Sequence, residues 1–179
     1  MKIFEKLFPS ETLEMELPIS KQKFLESFKN NTTAGEINFV AEWFEPFTSH
    51  KTPFKGNITS TNTFEIKRFR RIFKFLRGLA VADGSIQENN GDITITCVIN
   101  AFRGYIKTFI IFFSIFLSIA VLSQVVFLFQ DGDTSPLLIS ILVMFIYIFI
   151  FLFISKIALG SAVKNLKNEL SQEFKSYIN

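Results

Sequence analysis

Residues 125–139 read VFLFQDGDTSPLLIS, and they set Asp131 and Asp133 in the middle of the most apolar part of the chain. Such a break is either a surface turn in a buried core or the tip of a hairpin between two long helices. The flanks decide between the two. No residue from Thr108 to Gln130 is charged, and none from Thr134 to Ser155. About 20 apolar residues at 1.5 Å rise cover the ~30 Å of hydrocarbon in a bilayer. A helix inside a water-soluble core rarely stays uncharged for that long, and two in tandem are rarer. The spacing therefore predicts transmembrane helices over 105–130 and 136–156, joined by an external turn at 131–135. Gly132 frees the turn backbone, Ser135 suits the N-cap of the second helix, and Pro136 suits its first turn.

Charge placement orients this hairpin. Lys67, Arg68, Arg70, Arg71, Lys74, Arg77, Arg103 and Lys107 precede the first run, and Lys156, Lys164, Lys167 and Lys175 follow the second. The connecting turn has neither Lys nor Arg. Basic residues stay on the cytoplasmic side, so both termini are expected in the cytoplasm of a two-pass inner-membrane protein. The first twenty residues, MKIFEKLFPSETLEMELPIS, carry charges every few positions and no long apolar run, which is not the pattern of a signal peptide. Cys97 is the only cysteine, so no internal disulfide forms. The mean hydropathy is +0.33, and the long uncharged apolar runs behind it lie after residue 105, although the 24 phenylalanines are spread along the whole chain.

Residues 1–104 read as one cytosolic α+β domain: a small antiparallel sheet with one helix. Leu13, Met15, Leu17 and Ile19 alternate with polar neighbours, the period of a strand, and Pro18 marks its end or an edge. SKQKFLESFKNN reads as a helix capped by Ser20, with Phe24, Leu25 and Phe28 on one face. Residues 30–37 read as a turn. FVAEWFEPFTSHKTPF, broken by Pro46 and Pro53, is left between strand and helix. FKGNIT and TFEIKRF flank a tight turn. RIFKFLRG and LAVADGSIQ are strand candidates. Asn90–Gly91 is the clearest hairpin signal, because Asn-Gly readily adopts φ > 0, and it leads into a strand with Ile93, Ile95, Cys97 and Ile99 on one face. In the tail, 157–179, Leu159, Val163, Leu166, Leu170 and Phe174 recur every three or four residues, the stripe of an amphipathic helix that continues the second span and lies on the domain or at the headgroups.

Candidate chemistry is sparse. Lys67, Arg68, Arg70, Arg71, Lys74 and Arg77 alternate with aromatics and are the candidate contact for anionic lipid headgroups or a protein partner. A solvated cationic face that only sets topology is the plainer reading, and single-stranded nucleic acid the weakest. Ser114, Ser118, Ala120 and Gln124 place small and polar side chains at four-residue spacing, a candidate helix–helix packing face. Asp131-Gly132-Asp133 opens like a calcium loop but lacks its later ligands. His50, the only histidine, follows Glu42 and Glu45 without metal-ligand spacing. Trp43 and Phe44 read as core residues or interface anchors. Cys97 reads as a small buried core residue. No Gly-rich phosphate loop, paired-Cys motif or Gly-x-Ser-x-Gly elbow occurs, so no catalytic, cofactor or metal residues are assigned.

The stretch from Pro53 to Phe102, with Phe54, Gly56, Ile58, Phe64, Ile66, Gly78, Gly91 and Ile93 at its marked positions, resembles small bacterial membrane proteins of no known activity. These carry two transmembrane helices and a cytosolic α+β domain. The resemblance covers most of the chain. It departs after RRIFKF, where those proteins tend to have an Asn and a Pro. It implies an architecture and no activity.

The expected function is a non-catalytic binding or scaffolding domain of an integral inner-membrane protein, engaging membrane lipids or a protein partner, with a homo-oligomer possible. Two alternatives stand beside it: an oligomeric membrane-perturbing effector or small channel gated by the soluble domain, and an accessory or immunity subunit of a neighbouring system.

Overall fold

A computed structural model describes residues 9–35, 37, 51–69, 78–89, 91–101, 113–115, 117–119, 121–122 and 135–178. Before Lys156, the side chains described on the last helix are those of residues 145, 146, 148, 149 and 153. The elements are β1 (Ser10–Leu17), α1 (Lys21–Asn31), β2 (Thr32–Ala34), β3 (Phe54–Ser60), β4 (Thr63–Arg68), β5 (Val81–Asn89), β6 (Asp92–Asn100) and α2 (Ser135–Ser176). Residues 113–115, 117–119 and 121–122 are also helical.

The strands form one six-stranded sheet in the order β1-β6-β5-β4-β3-β2. Every pairing is antiparallel except β2 with β3, which is parallel. The expected purely antiparallel sheet with one helix is thus corrected to a mixed sheet with two helices packed on it. The reason lies in α1. It leaves the β1 edge and delivers the chain to the opposite edge, where β2 arrives pointing the same way as β1. Residues 30–37, expected as a turn, contain this strand. Thr32 stops the helix: its backbone N–H and its Oγ1, at 2.6 Å, both donate to the carbonyl of Phe28.

Local signals in the first half are obeyed. Ser20 caps α1, its Oγ accepting from the Lys23 N–H at 3.3 Å. Gly91 takes φ +92°, as the two-residue turn between β5 and β6 requires. The β3–β4 turn is closed by Ser60 and Thr63, whose hydroxyl oxygens are 2.7 Å apart. Asn62 in that turn ties down two neighbours: its carbonyl accepts from the Ile86 N–H at 2.8 Å, and its Oδ1 from Lys21 Nζ at 2.5 Å.

The core lies on one face of the sheet. Leu13, Leu17, Phe64, Ile66, Ile86, Ile93, Ile95, Cys97 and Ile99 point to that face and are buried. Phe24 and Phe28 of α1 cover one side of it. Leu159, Ala162, Val163, Leu166, Leu170 and Phe174 of α2, with Tyr177, cover the other. Phe24 is the meeting point, with ring centroids 5.5–6.0 Å from Phe28, Phe64, Phe174 and Tyr177. Gly84 is part of this arrangement: a Cβ there would lie 2.1 Å from Phe64 Cζ, so the ring rests on bare backbone.

Among the described residues no helix is long and apolar enough to cross a membrane. This overturns the two-helix transmembrane hairpin, the two-pass inner-membrane address and the integral-membrane function in each of its expected forms. α2 runs unbroken for 42 residues, about 63 Å at 1.5 Å rise, and its last half lies on the sheet. An uncharged run records composition alone. It does not say where a helix ends or which stripe a sheet covers.

Candidate functional site

Side chains on a strand alternate between faces, so placing Leu13, Ile95, Ile86 and Phe64 under the helices turns their neighbours to the other side. Register then assembles rows across the sheet. One row is Glu14, Thr96, Ser85 and Thr63. The next is Thr12, Val98, Asp83, Glu65 and Asn57. The third is Ser10, Asn100, Val81, Lys67 and Lys55. Neither α1 nor the buried stripe of α2 reaches this face. Its centre is of hydroxyl, amide and carboxylate side chains around a single exposed apolar one, Val98, at 42% exposure.

The face differs from end to end. At the β4–β5 part of the third row it is closed: Lys67 is 1% exposed, and Val81 and Phe69 are buried with it. Toward Glu14, Glu16, Thr94 and Gln87 it is open. Glu65 and Asp83 stand directly opposite one another, and Lys67 is the next residue of β4 on the same face. Like charges opposed across a strand pair destabilise it. A cation held one position along relieves that repulsion, which is a physical reason for a lysine at so covered a place. Among the described residues carboxylates outnumber amines on the face: Glu14, Glu16, Glu65, Asp83 and Asp92 against Lys55 and the buried Lys67.

Of the six cations expected to meet headgroups or a partner, two lie among the described residues. Lys67 is buried. Arg68, on the helix side of the sheet, is ion-paired with Glu169 of α2. Arg70, Arg71, Lys74 and Arg77 lie outside the described residues. Of the expected packing face, Ser114 and Ser118 are exposed and bonded to each other along the helix, Ser118 Oγ donating to the Ser114 carbonyl at 2.8 Å. Ala120 and Gln124 lie outside, as do Glu42, Trp43, Phe44, Glu45, His50, the strand candidate RIFKFLRG at residues 71–78 except for Gly78, and the turn at 131–133.

Cys97 sits on the buried face. Burial pushes its thiol up to about 12, and the charge of Asp83 adds to that. So little thiolate exists near neutral pH that the residue acts as packing. Among the described residues no three His, Cys, Asp or Glu side chains are grouped to hold a metal ion. The uncovered face was itself legible: the residues between Ile93, Ile95, Cys97 and Ile99 are Thr94, Thr96 and Val98. Its depth of cover at Lys67 had no sequence signal. Compared with known proteins, the chain matches no family model and no curated protein.

Proposed function

We propose that the chain is a non-catalytic protein-binding module whose partner lies on the uncovered sheet face and presents a basic segment to it. The observation that carries this is the division of the sheet. One face is closed by two helices, while the other sets out polar side chains in register across five strands around exposed Val98. A rigid sheet holds such groups at fixed spacing, which favours a partner of matching shape over a diffuse ionic contact. The sign of the partner follows from the exposed carboxylates at the open end of the face, Glu14, Glu16 and Asp92. It is opposite to the sign that the basic stretch at 67–77 suggests, because Lys67 is covered and Arg68 is paired with Glu169.

The test is site-specific photo-crosslinking in the native cell. A photoreactive residue at Thr96 should capture one discrete protein, and one at the exposed Lys164 of α2 should not. Reversing charge with Glu14→Lys and Glu16→Lys should weaken capture at Thr96 and its salt dependence together. Equal capture from both positions, or capture indifferent to the reversal, would refute the proposal.

A further inference from the structure

The first half of α2 carries a second surface, and its reading is independent of the sheet face. Phe145, Phe149, Phe153 and Ile157 recur at every fourth residue, with Ile146 beside them, and each is 50–70% exposed. The Phe149 and Phe153 rings stack at 6.5 Å with 10° between their planes, so the side chains form one continuous ridge. No charged residue lies from Thr134 to Ser155 to single out a polar partner.

We propose that this ridge is the contact between two copies of the chain. Three half-bare phenylalanines and two isoleucines leave on the order of 600 Å² of apolar surface, taking roughly 200 Å² for each complete side chain. That is at the top of the ~300–600 Å² range for the largest patch on a monomer, and most of the ~800 Å² that each partner contributes to a stable complex. The geometry suits self-recognition. A row at four-residue spacing packs into the same row of an identical helix at a crossing of about −50°. A two-fold axis near Phe149 then sets each ridge against its own copy, with no charge brought near a like charge. Because α2 continues unbroken from the ridge onto the sheet, the contact also sets the distance between the two sheet domains.

The experiment uses the full chain with one added cysteine. Cys97 is fully buried, so it does not compete for oxidation. Under mild oxidation Phe149→Cys should convert to a disulfide-linked dimer on a non-reducing gel, while Lys164→Cys stays a single chain. Light scattering of the unaltered protein should give twice the chain mass, falling to one chain mass for Phe149→Asp. Far-UV circular dichroism and an unreactive Cys97 show that each variant is folded. If light scattering of the unaltered protein gives one chain mass, the proposal fails. It fails equally if Phe149→Cys crosslinks no faster than Lys164→Cys. Partition of single chains onto phosphatidylcholine vesicles would also overturn it, since lipid would then cover the ridge.

Discussion

Replacing Gly84 by alanine adds one methyl group, and its fate tests the packing of the whole core. The new Cβ would stand 2.1 Å from Phe64 Cζ and 2.4 and 2.5 Å from the two Cε atoms, so the ring must move. It has little room. Phe28 and Phe24 flank it with centroids at 5.0 and 5.7 Å, and Phe174 closes the third side at 6.0 Å. Overpacking a filled core costs about 1–3 kcal/mol. Alanine also restricts the unfolded chain, which returns about 0.4–1 kcal/mol. Backbone contact with the face of a caged ring puts the steric cost near its upper end, so the net loss should be about 1–2.5 kcal/mol. For a chain of this length that lowers Tm by roughly 2–10 °C. Urea unfolding followed by far-UV circular dichroism measures it directly. Phe64→Leu, in the Gly84→Ala background, should recover part of the loss, with a coupling of about 1 kcal/mol or more in the double-mutant cycle. A neutral or stabilising Gly84→Ala, or additivity with Phe64→Leu, would mean that the ring does not rest on that backbone.

Gly91 depends on its dihedral instead of its surroundings, since a Cβ there would meet nothing within 4 Å. Gly91→Ala should cost about 1–2 kcal/mol in chemical denaturation, and Gly91→Asn less, because Asn tolerates the left-handed region. Glu173 is held above its ordinary value of 4.5, mainly by burial, while the Tyr177 hydroxyl leaning on it lowers it by less. A carboxyl whose folded pKa is raised keeps its proton better when folded, so its contribution is complete below the ordinary value and declines as pH rises through the folded one. Glu173→Gln should flatten that part of the decline in a series of thermal melts from pH 4 to pH 8. The Arg68–Glu169 pair joins β4 to α2 at about one-fifth exposure of each side chain. A double-mutant cycle to alanine should give a coupling of about 0.5–1 kcal/mol, reduced at high salt.

Several parts of the fold follow from short-range stereochemistry and were open to reading without coordinates. Ile93, Ile95, Cys97 and Ile99 alternate because a strand has a period of two, and all four are buried. Ser20 caps a helix because its hydroxyl reaches a free N–H three residues on. The stripe at Leu159, Val163, Leu166, Leu170 and Phe174 marks a buried helix face, although its period does not name the surface that buries it. Lys67 and Arg68 lie beyond such rules. In the chain they belong to one run of cations, yet one is closed over on the far face of the sheet and the other reaches a carboxylate 101 residues away.

What the sequence alone determined is therefore the set of elements with a local cause: the alternating strands, the capped helix, the Asn90–Gly91 turn and the apolar stripe of the tail. Their periods and caps depend on residues within one or two turns of each other. The tertiary structure alone decided the edge-to-edge crossing by α1, the parallel entry of β2, the burial of Lys67 and the absence, among the described residues, of a helix fit to cross a membrane. Each of these depends on which surfaces meet across the sheet. Contacts between residues distant in the chain settle that, and no periodicity within a single segment encodes them.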